Sequence, residues 1–147
     1  MIDIENDVFN AVENAVKAEF PTVYVTGEYD DSPASFPAVT IVEADNNIVD
    51  SMRTDVVENA VSVMYEVNVY SNRAAARKTE AKAISNLIDN LLTGYGFTRM
   101  MRSQVPNLAN AKVYRIVSRY RAYVGPNGNN QFLIYHSGAK DTADTFM

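Results

Sequence analysis

The sequence predicts an α+β domain, an antiparallel or mixed β-sheet packed on one side by an N-terminal helix and a long central helix. Three observations carry that expectation. Val61, Val63, Tyr65, Val67 and Val69 alternate with Ser62, Glu66 and Asn68, the period of a strand buried on one face. The period then lengthens: Ile84, Leu87, Ile88, Leu91 and Leu92 fall at three- and four-residue steps, one apolar stripe of a helix. Residues 95–101 restart as a strand, so residues 60–99 form a strand–helix–strand unit with its own core. No catalytic chemistry is visible in that unit.

The remaining elements follow in order. Ile4, Val8, Val12, Ala15, Val16 and Phe20 repeat at helical spacing, with Glu5, Glu13, Asn14 and Lys17 on the other face. Asp3 and Asp7 suit the positive end of the helix dipole, and Pro21 stops the helix, which is expected over residues 3–19. Residues 22–26 are a short β-rich run closed by Gly27, and residues 28–35 are a polar loop. Residues 36–43 (FPAVTIVE) read as a second strand, with Pro37 at an edge or at the strand's entry. Ser71 or Asn72 is expected to cap the central helix, and Gly94 and Gly96 to end it. Residues 113–124 (VYRIVSRYRAYV) are the last strong strand, followed by a turn at Gly125, Pro126, Asn127 and Gly128. Residues 131–136 (QFLIYH) either pair back as an edge strand or reach a neighbour as an arm. Residues 137–147 are polar, frayed or docked only in an assembly. The expected division is a domain over residues 1–125 and a C-terminal extension over residues 126–147.

Composition narrows the function. A chain of 147 residues suits one domain, which at this size buries about 68–70% of its unfolded surface. The absence of cysteine excludes disulfides, thiolate catalysis and cysteine-ligated zinc, and suits a reducing cytoplasm. A formal charge of −5 argues against a protein that wraps nucleic acid. The first twenty residues carry five acids and one lysine, the opposite of a signal peptide, and no apolar run is long enough to span a bilayer. The expectation is a soluble intracellular product.

Candidate chemical motifs each have a simpler structural reading. His136 is the only histidine and no Gly-x-Ser-x-Gly elbow accompanies it, so a surface histidine is expected. Gly94 and Gly96 follow a helix, and Arg99 stands where a dinucleotide-binding loop needs glycine. Asp45, Asn47, Asp50 and Asp55 suggest calcium, but Val49, Asp50 and Val56 break the EF-hand pattern, leaving only an irregular ion site as the alternative. Residues 45–59 are long for a connection inside a domain. They either extend the flanking strands as a protruding hairpin or dock onto a neighbour through Ile48, Val49, Met52 and Arg53. Arg115, Arg119 and Arg121 form a basic stripe. It either meets DNA phosphates or serves a cross-strand pairing with Glu66 or a subunit interface, the second being the expectation. Phe132 and Ile134 complete the candidate interface. No catalytic, cofactor-binding or metal-ligating residue is expected.

Taken together, the N-terminal helix, residues 36–43, residues 65–71 (YEVNVYS), the helix through Ile84, Leu87, Ile88 and Leu91 into residues 96–99 (GFTR), and residues 114–124 resemble the tail terminator and head–tail joining proteins of tailed bacteriophages. The resemblance covers residues 1–125. It implies a structural, non-enzymatic virion protein that forms closed rings, usually hexamers. Such rings cap the tail tube, stop its polymerisation and meet the head connector at the tail–neck junction. The implied partners are further copies of the chain, the tail tube protein and a neck or connector protein. DNA passes the lumen without specific binding, no membrane is involved, and assembly takes place in the bacterial cytoplasm. The alternatives are a head-completion or connector-type neck protein, or a small ligand-binding α+β module. The apolar stripe also predicts that Leu87→Asp unfolds the domain.

Overall fold

Alternation and helical spacing translate into elements with few surprises. The computed structural model describes residues 2–30, 32–49, 60–107, 110–126, 132–135 and 143–146. In chain order the elements are α1 (Glu5–Glu19), β1 (Tyr24–Thr26), β2 (Ala38–Ile48), β3 (Val61–Ser71), α2 (Arg77–Gly94), β4 (Thr98–Gln104), β5 (Tyr114–Pro126), β6 (Phe132–Tyr135) and β7 (Ala143–Phe146). The strands form one mixed sheet in the order β1-β2-β3-β5-β6-β7, with β4 paired to β5. Among the described residues only β1 and β2 run parallel; the other pairs are antiparallel. β4 and β6 therefore share one edge of β5, against residues 116–121 and 123–126 respectively.

Both helices cover the same face of the sheet. Val8, Val12 and Val16 of α1 and Ala81, Ile84, Ile88 and Leu92 of α2 are buried against Val39, Ile41, Val63, Tyr65, Val67, Val69, Ile116, Tyr120 and Ala122. The odd residues of β3 and the even residues of β5 supply this face because the two strands pair antiparallel, Val63 opposite Ala122 and Tyr65 opposite Tyr120. The apolar stripe of α2 is rotated from its expected position. Ala81, Ile84, Ile88 and Leu92 are the fully buried positions, whereas Leu87 and Leu91 are only partly buried at its flank. A helix packed on a sheet buries one narrow line of residues, and α1 takes up part of the flank where Leu91 lies.

The ends of α2 differ from the expected caps. Ser71 and Asn72 lie before the helix, which begins at Arg77 without a side-chain cap. Ser71 is instead the last residue of β3, and its hydroxyl donates to Glu80 Oε1 at 2.8 Å, tying strand to helix. At the far end Gly96 (φ 105°) donates its N–H to Thr93 O at 3.1 Å, and Phe97 donates to Leu92 O at 3.0 Å. That pair of bonds is a Schellman motif, with buried Phe97 packed edge-on to Tyr65 at 6.0 Å. Only Gly96 needs to be glycine; Gly94 is the last helical residue, and a Cβ there meets nothing within 4 Å. Gly96→Ala is therefore expected to lower stability by about 1–2 kcal/mol, since an L residue is strained at positive φ. Gly94→Ala is expected to be neutral or to add up to ~1 kcal/mol. Chemical denaturation of the two variants checks the contrast.

Two regions extend further than the sequence pattern suggested. β2 runs on past residue 43, through a bulge between Glu43 and Asp45, to pair residues 45–48 with 61–64. Val49 N–H then donates to Ala60 O at 3.0 Å, so the described part of this connection extends the β2–β3 hairpin. At the other end β6 pairs back onto β5, and β7 pairs with β6, so the polar C-terminal residues 143–146 continue the same sheet.

Candidate functional site

The face of the sheet turned away from the helices carries a polar ladder. Glu66 and Arg119 are direct cross-strand partners. Arg119 donates from Nε and Nη2 to Glu66 Oε1 at 3.2 and 3.1 Å. Asn68 Nδ2 donates to the other carboxylate oxygen at 3.2 Å, and Asn68 Oδ1 accepts from Arg115 Nε at 2.9 Å. Arg115 is also held between two rings, 5.9 Å from the Tyr29 centroid and 5.6 Å from that of Tyr70. Arg121 donates to Ser62 Oγ and lies 3.8 Å from Asp45. The chain Arg119–Glu66–Asn68–Arg115 is continuous because side chains two apart on one strand share a face. Each arginine of the stripe is thus engaged inside the molecule, which supports the cross-strand pairing over phosphate binding.

The loop after β1 folds over one end of this face. Tyr29 reaches Arg115, and Phe36 joins Ala38, Tyr70 and Val113 in a small apolar cluster. At the other end Tyr123 is exposed, as is Met101 opposite Arg119 on β4. The other candidate interface residues are dispersed. Ile48 is 48% exposed, but its register opposite Val61 puts it on the helix-bearing face, at the end of β2. Val49 follows it and is half-buried. Met52 and Arg53 lie outside the described residues, as does His136. Phe132 and Ile134 sit on β6, opposite Pro126 and Val124 of β5 and Phe146 and Asp144 of β7. The described structure brings Arg115, Arg119 and Arg121 together and leaves Ile48 and β6 apart from them.

A second feature has no counterpart among the sequence motifs. Between α2 and β4 runs an open groove of about 690 Å³ lined by Lys82, Asn86, Arg99, Arg102, Gln104 and Tyr114 among others, with no carboxylate in its lining. Arg99 also reaches Asp89 at 3.0 Å, and Arg102 donates to Asn86 Oδ1 at 2.6 Å, so both guanidinium groups are braced against α2. Asp89 Oδ1 further accepts from Tyr120 at 2.9 Å; burial, then this hydrogen bond, push the Tyr120 phenol far above its usual range. The groove can hold an anion or an acidic segment. The signal for it in the sequence is Lys82 and Asn86, one helical turn apart, facing Arg99 and Arg102 on the next strand.

Acids gather on the other side of the molecule. Asp3, Glu5 and Glu43 each bring a carboxylate oxygen within 4.8 Å of the others, the described grouping best suited to a cation. Asp45 and Asn47, members of the irregular ion site considered above, hydrogen-bond to each other instead. Burial raises the Glu43 carboxyl above its ordinary value, opposed by hydrogen bonds from Asn46 and Tyr65 and reinforced by Asp3 and Glu5. A raised carboxyl pKa means that the folded state holds the proton more tightly. Its stabilising effect is present below the ordinary glutamate pKa and is lost as pH rises through the raised value. Glu43→Gln keeps the acceptor for Tyr65 and removes the charge. It is expected to melt at or above the parent near pH 7, with the difference closing towards about pH 4.

Among the described residues no helix is long and apolar enough to cross a membrane. No protein-family model matches the sequence, and no curated protein does. Solved structures do. A chain from the virion of a native gene transfer agent particle is similar at a TM-score of 0.57 and 16% identity, over 84% of this chain and 95% of that one. At that identity the likeness is one of fold.

Proposed function

We propose that this chain is a structural virion protein of the tailed-phage type, a ring-forming tail terminator that caps the tail tube and joins it to the neck. The observation that carries the reading is the fold shared with a gene transfer agent virion chain along nearly the whole of that chain. The order of elements that resembles tail terminators in sequence runs from α1 to β5. In this reading the protein does no catalysis. It acts by presenting sheet edges and exposed apolar residues, among them Tyr24, Ile48, Met100, Met101 and Tyr123, to neighbouring copies and to the tube and neck proteins. The polar ladder and the two-helix layer hold those surfaces rigid. Incubating the protein with purified tails and with emptied capsids tests the assignment. Binding to the head-proximal end of tails, with arrest of tube growth, is expected. Binding to capsids alone reassigns it to head completion, and binding to neither contradicts a virion role.

A further inference from the structure

Charge is divided between the two sides of the molecule. Residues 1–49, which form α1, β1 and β2, carry ten carboxylates and one lysine. Residues 72–126, which form α2, β4 and β5, carry ten arginines and lysines and two carboxylates. The sheet runs β1-β2-β3-β5, with β4 on β5, so β1 and β4 stand four strand spacings apart, roughly 19 Å at ~4.8 Å per strand. One side is acidic, with Glu19 and Glu28 exposed before and after β1. The other is basic and concave: the groove of Lys82, Arg99 and Arg102 beside β4.

We propose that the acidic β1 side of one copy docks into the basic α2–β4 groove of the next, so that copies associate head to tail. The occupant is a second copy because the same chain carries both complementary surfaces, on opposite sides. Contact between two like sides would set Lys82, Arg99 and Arg102 against themselves, or acids against acids, so a two-fold dimer through either side is disfavoured. A contact between different surfaces on opposite sides is heterologous, the type that closes into a ring when the rotation per subunit permits. No described strand other than β5 pairs with β4, but its ladder is interrupted at Met100 and its exposed residues include arginine, features that discourage simple strand addition. Docking therefore works through side chains in the groove. This assignment rests on the ring reading above for its biological setting, but not for its charge geometry.

Two double variants test it, Lys82→Glu/Arg102→Glu in the groove and Glu19→Lys/Glu28→Lys on the acidic side. None of the four residues belongs to the buried core, and thermal melts of each variant check the fold. In sedimentation velocity the parent is expected to assemble at low ionic strength and to weaken as salt rises. Each double variant alone is expected to lose at least tenfold in association. Mixed together they are expected to regain association, because the intact acidic side meets the intact groove and the two reversed surfaces again carry opposite charge. Either variant assembling like the parent, or a mixture that stays monomeric, overturns the proposal. So does groove-dependent binding of duplex DNA with self-association unchanged. A parent that assembles but ignores the reversals refutes only this contact; a parent that stays monomeric, alone and on tail tubes, refutes the ring reading as well.

Discussion

Ile88→Asp is expected to leave the chain unfolded in water. Ile88 is completely buried on α2, among Ile84, Leu92 and the inner face of the sheet. Truncating such a residue to alanine removes about 2–5 kcal/mol, because the cavity relaxes only in part. Aspartate adds a carboxylate with no partner in an apolar layer, which costs several kcal/mol more or forces its protonation. A domain of this size has roughly 5–15 kcal/mol in total. Leu87→Asp, one position earlier, is the informative comparison. Leu87 is only partly buried at the margin of the same core, so a carboxylate there can turn to water, and that variant is expected to fold with a lowered melting temperature. Far-UV circular dichroism at increasing temperature separates the two. Equal loss in both variants contradicts the orientation of α2.

Glu66→Ala is expected to cost about 1–3 kcal/mol, more than Arg119→Ala, although both remove the same ion pair. The pair itself is partly open to water, with side-chain exposures of 49% for Arg119 and 19% for Glu66, so its own contribution is about 0.2–1 kcal/mol. The asymmetry comes from Asn68, which is fully buried and donates to Glu66. Deleting Glu66 leaves that amide without its acceptor and loosens the hold on Arg115, whereas deleting Arg119 opens Glu66 to water and leaves it bonded to Asn68. A double-mutant cycle of Glu66 with Asn68, read in urea denaturation, should give a larger coupling than the cycle of Glu66 with Arg119. The reverse order contradicts the network.

Most of the fold was legible because its signals are local. Alternation placed β3 and the body of β5 and brought Glu66 to Arg119. Helical spacing placed α1 to within two residues, and Gly96 before Phe97 announced the end of α2. What was not legible depends on partners distant in sequence. The parallel pairing of β1 with β2 leaves no mark in a three-residue strand, and the angle at which α2 meets the sheet decides whether Leu87 or Leu92 is inside. Arg115 lies between Tyr29 and Tyr70 only because the loop after β1 crosses the sheet, a contact spanning 86 residues. β7 is a short polar strand whose pairing with β6 shows no apolar alternation. The opposed charges of the two sides could have been read by counting acids and bases separately in each half. A search for motifs passes over it, since no single residue in it is unusual.

The proposed role of the protein, a ring at the end of a tail, is tested by electron microscopy of tails assembled with and without it. A ring of several copies on the head-proximal end of tubes of uniform length is expected when the protein is present, and bare tubes of variable length when it is absent. Uniform tubes without it, or a single copy bound along the tube wall, would rule out that role.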